Sequence, residues 1–244
     1  MRGTVKGVFM VDIERYGDYN EVDEAPGGNK NPVATLLKVL VISLCILVVG
    51  VITFRLILFN YYPKEMKRIY FNGELSDHYR RTDGDISAQS QKLRAPYDDP
   101  DFASFMADNL IIIRDVGQLQ ISVRYNSSIF DTIYEKYGVR LDKDNEDLFS
   151  FELERVPFDE NVSAYTIGEL DYLSTDKALM YTYYKLVFDG VEFYGEDTQD
   201  WIRLKITVKD IPDAEPYYIL VYENTEEHYV FSDYKLSAKE IPND

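Results

Sequence analysis

The sequence predicts a mainly β protein that is held by a single transmembrane helix. The helix is predicted at residues 33–60, where apolar residues follow one another almost without interruption. After residue 101, apolar and polar residues alternate in several short runs, which is typical of half-buried strands. We therefore expect an antiparallel β-sandwich, loosely Ig-like, with one short inserted helix. The alternative is an α+β fold in which a curved antiparallel sheet packs on that helix.

The centre of the predicted transmembrane helix is the uncharged run from Val39 to Phe54. At about 1.5 Å per residue this run covers roughly 24 Å, which is less than the ~30 Å hydrocarbon core of a bilayer. The span must therefore extend over residues 33–60, with the charged ends of Lys38 and Arg55 reaching the headgroups. Because the run begins more than thirty residues into the chain and no cleavage site follows it, we expect an uncleaved signal anchor.

The charges beside the span disagree with the orientation that we predict. Two basic residues precede it closely, whereas four follow it: Lys64, Lys67, Arg68 and Arg80. The positive-inside rule alone would place the C-terminal part in the cytoplasm, but long folded domains cross the membrane largely regardless of charge. We therefore predict a single-pass protein of the cell membrane, with a cytoplasmic N-terminus and an extracellular C-terminal domain.

Charge is distributed unevenly along the chain. Residues 1–60 carry six basic and six acidic residues, whereas residues 61–244 carry 20 basic and 37 acidic ones. Nucleic-acid phosphates repel a domain this acidic, so we expect no nucleic-acid partner. The single cysteine, Cys45, lies in the predicted span, which excludes disulfides from the rest of the chain. Secreted eukaryotic domains often contain disulfides, so their absence indicates a bacterial surface protein instead.

The predicted span divides the chain into further parts. Residues 1–32 are too short for a core and are predicted to be a disordered cytoplasmic tail. Residues 61–101 are predicted to be a juxtamembrane stalk and linker, because Pro63 can open a helix and the polar stretch from Gly73 to Asp101 has the composition of a linker. Residues 102–244 form the predicted extracytoplasmic acidic β-rich domain.

Alternating residues locate the elements of this domain. Strands are predicted at residues 110–114, 118–125, 148–156, 164–170 and 201–209. One hairpin is predicted at residues 184–194, since Asp189-Gly190 tolerates the positive φ angles of a type I′ turn. A last hairpin joins residues 217–223 to residues 229–236. A helix is predicted at residues 129–137, capped by Ser128 and ended by Gly138.

Two short runs resemble known proteins. Residues 106–113, Met-Ala-Asp-Asn-Leu-Ile-Ile-Ile, and residues 117–126, Gly-Gln-Leu-Gln-Ile-Ser-Val-Arg-Tyr-Asn, look like uncharacterised single-pass membrane-anchored surface proteins of clostridial-type Gram-positive bacteria. Residues 183–190 form a weaker second match. The resemblance implies a host and a location, and it implies no reaction.

The sequence contains no recognisable catalytic motif. Its two histidines, His78 and His228, lie beside no nucleophile motif, and there is no Gly-x-Ser-x-Gly sequence. Glu152 and Glu154 share one face of a predicted strand, but such pairs arise by chance in an acidic domain. We therefore predict no catalytic residue, no cofactor and no enzymatic activity, with a cell-envelope hydrolase as the least favoured alternative.

An acidic loop is the candidate metal site. Asp142, Asp144 and Glu146 cluster oxygen ligands of the kind that calcium prefers. The loop departs from the EF-hand pattern, which requires Gly at position six, where Asp147 stands, and Glu at position twelve, where Leu153 stands. A solvated loop is the alternative interpretation.

Aromatic residues are the candidate binding residues. The chain has 21 Tyr, 13 Phe and one Trp, and many of them lie on predicted strands. Successive strand residues point to opposite faces, so one residue of each tyrosine pair is expected at the surface. We select Tyr184, Trp201 and Tyr218 as surface contacts, since exposed aromatic rings suit sugars and protein interfaces. Core packing is the alternative for the tyrosines.

These observations predict a membrane-tethered extracytoplasmic binding or adaptor module. Its partners are the lipid bilayer, through residues 33–60, and a protein or a cell-wall polymer. The alternative is a single-pass sensor or regulator that signals through the short N-terminal tail.

Overall fold

The computed structural model describes residues 32–93, 105–145, 147–193, 200–223, 232–234 and 236. The chain divides into two units, Met1–Phe59 and Asn60–Asp244, and each is described by itself. The predicted cytoplasmic tail, at residues 1–32, lies outside the described residues except for Pro32, the first residue of a helix.

The described residues of the first unit form one apolar helix, α1 (Pro32–Asn60). Its 29 residues correspond to a length of about 44 Å, which exceeds the ~30 Å hydrocarbon core of a bilayer. The helix is long and apolar enough to cross a membrane. Its bounds agree with the predicted span at residues 33–60.

The second unit is built mainly of strands. They are β1 (Ala88–Lys92), β2 (Phe105–Ile113), β3 (Gln118–Asn126), β4 (Phe149–Val156), β5 (Tyr165–Thr166), β6 (Glu169–Ala178), β7 (Tyr181–Asp189), β8 (Trp201–Val208), β9 (Tyr217–Glu223) and β10 (Ser232–Asp233). Sheet 1 has the order β10-β1-β2-β3-β7-β6, and sheet 2 has the order β5-β4-β8-β9. Every pairing between the described strands is antiparallel. The mainly β prediction is confirmed, whereas this strand order does not confirm an Ig-like topology.

The two sheets share one hydrophobic core. Alternate residues of each sheet point into it, as the period of two requires: Leu119, Ile121, Val123 and Tyr125 from β3, Phe149, Phe151 and Leu153 from β4, and Ile202, Leu204 and Ile206 from β8. The unit also contains two short helices, α2 (Lys64–Lys67) and α3 (Gly73–Arg81), and the longer helix α4 (Ser128–Tyr137). Helix α4 contributes Ile129, Phe130 and Ile133 to the core. Gly138 ends α4 in the left-handed conformation, as predicted.

The second face of sheet 1 is covered by the chain that precedes β1. Tyr62, Met66, Ile69 and Leu75 are buried there. The polar side chains of β3 that the alternation predicts to face solvent are also buried: Gln118, Gln120, Ser122 and Arg124.

Hydrogen bonds explain how these polar side chains are accommodated. Gln120 accepts from the Tyr70 amide at 2.8 Å and donates to the Tyr70 carbonyl at 2.7 Å. The Ser122 hydroxyl donates to the Met66 carbonyl. The prediction of a stalk and linker over residues 61–101 is therefore wrong for residues 61–93, which are part of the fold. The domain begins at Asn60 rather than at residue 102.

The predicted hairpin around Asp189-Gly190 is also wrong. β7 ends at Asp189, and Val191 donates its amide hydrogen to the Gly117 carbonyl instead of pairing back on β7. Gly190 has a positive φ, but Asp189 does not, so the pair does not form the type I′ turn. The partner of β7 is β6, and the turn between them is Leu179-Met180.

The last predicted hairpin is not formed by the described strands. β9 lies in sheet 2 beside β8, whereas β10 pairs with β1 in sheet 1. The predicted turn at residues 224–228 lies outside the described residues.

The domain has two ends, which its paired strands define. The Tyr61 end contains Tyr61, the start of β7 at Tyr181 and the start of β4 at Phe149. At the opposite end, which we call the Val191 end, Arg155 donates a hydrogen bond to the Glu192 carbonyl. β7 runs between the two ends over nine residues, a length of roughly 27 Å.

Candidate binding face

The outer face of sheet 2 carries two of the three predicted binding residues. Burial alternates along β8, so that Ile202, Leu204 and Ile206 point into the core. Trp201 therefore points outward. On the neighbouring strand β9, Tyr218 lies beside Lys205 in the register and shares the outer face. We call this surface, formed by Glu152, Glu154, Trp201, Arg203, Lys205, Tyr218 and Leu220, the sheet 2 face.

Opposite charges are paired in the centre of the sheet 2 face. Lys205 lies 2.8 Å from Glu152 and 3.3 Å from Glu154, and Arg203 lies 2.8 Å from Glu154. The hydrogen bond to Glu152 raises the pKa of Lys205. Two carboxylates and two cations leave this part of the surface without net charge, although the domain as a whole is strongly acidic.

Aromatic and aliphatic side chains flank these ion pairs. The Arg203 guanidinium lies 3.8 Å from the centroid of the Tyr218 ring, within cation–π distance. Trp201 is 45% exposed and Leu220 is 36% exposed. Sequence reasoning missed Leu220, Arg203 and Lys205. Arg203 and Lys205 could have been found, since they alternate with Ile202, Leu204 and Ile206 in the sequence.

The prediction that Tyr184 is a surface contact is wrong, because its side chain is buried in the core. It packs on Tyr125, Phe149 and Phe151, with ring centroids 5.0–6.5 Å apart. Its neighbour Tyr183 points to the other face of sheet 1 and is buried there, beside Tyr62. Both faces of β7 are thus covered, which the sequence did not indicate.

The predicted calcium site is only partly described. Asp142 and Asp144 are exposed in the loop after α4, and Glu146 lies outside the described residues. The Asp142 carboxylate accepts the Asp144 amide hydrogen at 3.0 Å, a turn contact that needs no metal. Within the part of the chain that the structure describes, no three carboxylate, histidine or cysteine side chains are grouped as metal ligands. Calcium binding at this loop stays a prediction.

A small cavity lies between sheet 1 and the segment that covers it. Its volume is about 210 Å³, and Tyr70, Tyr172, Ser174 and Lys185 contribute to its lining. The rings of Tyr70 and Tyr172 are stacked at 3.8 Å. Pockets for drug-sized ligands measure roughly 300–1,000 Å³, so this cavity is too small for such a molecule. We assign no ligand to it.

Of the two histidines, one is described. His78 Nε2 lies 3.7 Å from the Asp115 carboxylate at the Val191 end, and His228 lies outside the described residues. The absence of enzymatic activity stays a prediction.

The sheet 2 face carries two of the three predicted binding residues, Trp201 and Tyr218, and is our candidate binding face. No protein-family model, curated protein or solved structure matches the chain.

Proposed function

We propose that this protein is a membrane-tethered binding module whose sheet 2 face contacts a protein or a cell-wall polymer. The observation that carries the proposal is the exposure of Trp201 on the same charge-balanced face as Tyr218 and Leu220. Aromatic residues and arginine are enriched where proteins bind partners, and exposed rings also stack on sugars. The ion pairs hold Arg203 and Lys205 in fixed positions, so a partner meets a preorganised surface.

Charge also favours this surface over the rest of the domain. From residue 96 onward the chain carries 13 basic and 32 acidic residues. Bacterial surface polymers and many proteins are themselves acidic, so most of the domain repels them. The sheet 2 face has no net charge in its centre, so an acidic partner meets less repulsion there than the net charge of the domain would suggest.

The position of Trp201 within the domain supports the proposal. Trp201 pairs with Val156 near the Val191 end, whereas the chain joins α1 at the Tyr61 end. The two ends are separated by roughly the 27 Å length of β7. A partner at Trp201 is therefore bound far from the point where the domain is attached.

The proposed location is the outer surface of the cell membrane, with α1 as an uncleaved anchor. The basic residues after the span, which oppose this orientation in the sequence, belong to a folded domain: Lys64, Lys67, Arg68 and Arg80. The positive-inside rule applies to short loops, and domains cross largely regardless of charge. These four basic residues are therefore only a weak argument against an extracytoplasmic domain. The resemblance to Gram-positive surface proteins agrees with this location.

The proposal is tested with residues 60–244 immobilised and exposed separately to Gram-positive wall material and to extracted surface proteins. We expect retention from one source and its loss in Trp201→Ala, by about 30-fold or more if Trp201 is a hot spot. Tyr134→Ala is the matched control, because Tyr134 is also 45% exposed but lies on α4. Equal retention by both variants, or retention by residues 1–32 alone, would contradict the proposal.

Orientation is tested in intact cells. Phe158 is 68% exposed, so a cysteine introduced at this position in a Cys45→Ser background is accessible to reagents. We expect an impermeant thiol reagent to label Phe158→Cys without lysis. Labelling that requires lysis would place the domain in the cytoplasm.

A further inference from the structure

The turn between β6 and β7 exposes two large apolar side chains. Ala178 pairs with Tyr181, so Leu179 and Met180 form a two-residue hairpin loop. Leu179 is 65% exposed and Met180 is 55% exposed. Such loops normally contain Gly, Asn or Asp, and polar residues are expected at a hairpin tip in water.

The backbone makes the choice of leucine unfavourable as well. Leu179 has a φ of 62°, in the left-handed region that glycine adopts without steric cost. A positive φ at the first loop position alone is the pattern of a type II′ turn, where glycine is the preferred residue. Neither the turn nor solubility favours Leu179, which points to a function of its side chain outside the fold.

This turn lies at the Tyr61 end of the domain. The Arg124 guanidinium stacks 4.7 Å from the centroid of the Tyr181 ring, directly after the turn. The same guanidinium donates to the Tyr61 carbonyl at 3.2 Å, and the Tyr183 hydroxyl donates to that carbonyl at 3.0 Å. Tyr61 follows the last residue of α1 in the chain. The turn is thus fixed, through Arg124, beside the residue where the chain leaves the apolar helix.

The exposed residues around the turn suit a membrane–water interface. Tyr61 is 43% exposed, and aromatic rings of this kind settle at the headgroups. Lys64 and Lys177 are exposed as well, and their long side chains can reach headgroup phosphates. Glu65 and Asp176 lie next to these two lysines in the chain, so the surroundings of the turn are close to neutral rather than strongly acidic.

We propose that Leu179 and Met180 insert into the interfacial region of the bilayer that α1 spans. The inference rests on the proposed span of α1 and goes beyond the binding role of the sheet 2 face. Insertion gives the domain a second point of contact with the lipid. Together with the attachment at Tyr61, it fixes the orientation of the domain and presents the Val191 end, with Trp201, away from the bilayer.

The test uses the full chain in nanodiscs that hold one copy each, with nitroxide groups on the lipid acyl chains. An environment-sensitive fluorophore is placed on Met180→Cys in a Cys45→Ser background. We expect a blue-shifted emission and loss of most of the fluorescence by nitroxide quenching. Phe158→Cys is the matched control, since Phe158 is an exposed apolar residue near the Val191 end, and we expect it to be unquenched. Equal, weak quenching at both positions would overturn the inference.

The native cysteine separates this inference from the proposed span. In the wild-type chain, a fluorophore on Cys45 lies within α1 and should be quenched from the acyl chains. Quenching at Cys45 without quenching at Met180→Cys overturns the insertion alone. No quenching at Cys45 overturns the span and the insertion together.

A second variant distinguishes insertion from a structural role of the turn. Leu179→Gly removes the apolar side chain and relieves the positive φ, so we expect a higher Tm but weaker quenching of the label on Met180→Cys. A lower Tm with unchanged quenching would show that Leu179 serves the fold, and would overturn the inference.

Discussion

Leu75 provides the sharpest test of the fold, because it lies in a stretch that the sequence predicts to be a linker. In the structure its side chain is fully buried between α3 and sheet 1, beside Ile69, Ala88, Ile111 and Ile113. Helix α3 begins at Gly73 after Asn72, whose side chain accepts the Leu75 amide hydrogen at 2.9 Å. The residue is thus held both by a helix cap and by apolar packing.

The expected cost of Leu75→Ala follows from this burial. Replacing a fully buried leucine by alanine lowers the free energy of unfolding by about 2–5 kcal/mol, since transfer and cavity contributions add. Alanine is a good helix former, so α3 itself is not weakened. For a domain of this size, a loss of about 3 kcal/mol lowers Tm by roughly 6–12 °C.

The assay is urea and thermal unfolding of residues 60–244, followed by circular dichroism. Leu179→Ala is the control, because Leu179 is exposed and its truncation should change the free energy of unfolding by less than about 0.5 kcal/mol. If Leu75→Ala were as neutral as Leu179→Ala, residues 61–93 would be a linker and the described packing on sheet 1 would be refuted.

Three further predictions concern the same covered face of sheet 1. Arg124→Met removes the cation–π contacts with Tyr62 and Tyr181 and the hydrogen bond to Tyr61, so urea unfolding should show a loss of about 1–3 kcal/mol. Arg140→Met, which removes an exposed contact with Tyr134, should be nearly neutral. Residues 97–244 lack β1 and the covering segment, and gel filtration should show that they aggregate, whereas residues 60–244 elute as a folded monomer. Burial raises the pKa of Asp189, so the folded state keeps this proton to a higher pH than the unfolded state. The resulting contribution to the free energy of unfolding is present at low pH and is lost as the pH rises through the pKa of folded Asp189. The free energy of unfolding of the wild type, compared with that of Asp189→Asn, should therefore fall between acid and neutral pH. A difference between these two proteins that is independent of pH would contradict the raised pKa.

The strands could be predicted because alternation is a local property. Residues 118–125 alternate between apolar and polar, and the apolar set does face the shared core as β3. The same pattern predicts that the polar set faces water, which is wrong. A glutamine such as Gln120 has the same sequence pattern whether it bonds to water or to the backbone of Tyr70. The difference depends on a segment 50 residues away in the chain.

The hairpin predictions failed for a related reason. Asp189-Gly190 has the composition of a tight turn, but pairing also requires a strand on both sides, and Val191 instead bonds to Gly117. The true turn, Leu179-Met180, has no turn residues at all. Its conformation is imposed by the pairing of β6 with β7. Turn composition therefore indicated Asp189-Gly190, where no hairpin forms, and gave no sign of the turn at Leu179-Met180.

The candidate site was predicted in part. Trp201 and Tyr218 were selected as aromatic residues on strands, and both lie on the sheet 2 face. Tyr184 was selected by the same reasoning and lies in the core. The position of a tyrosine in a strand shows only which of the two sheet faces it points to. The sequence does not show whether that face is covered by other parts of the chain or exposed to solvent.

The sequence by itself determined the apolar helix, the strand-rich composition of the domain and helix α4, because each depends on neighbours within a few residues. Only the tertiary structure decided that residues 61–93 complete the fold, that both faces of β3 and β7 are covered, and that the Leu179-Met180 turn lies at the same end of the domain as Tyr61. These features depend on which distant segments pack together. The packing depends on complementary surfaces of segments that are far apart in the sequence. An example is the backbone of Met66 and Tyr70, which forms hydrogen bonds with Ser122 and Gln120 and cannot be inferred from a local sequence pattern.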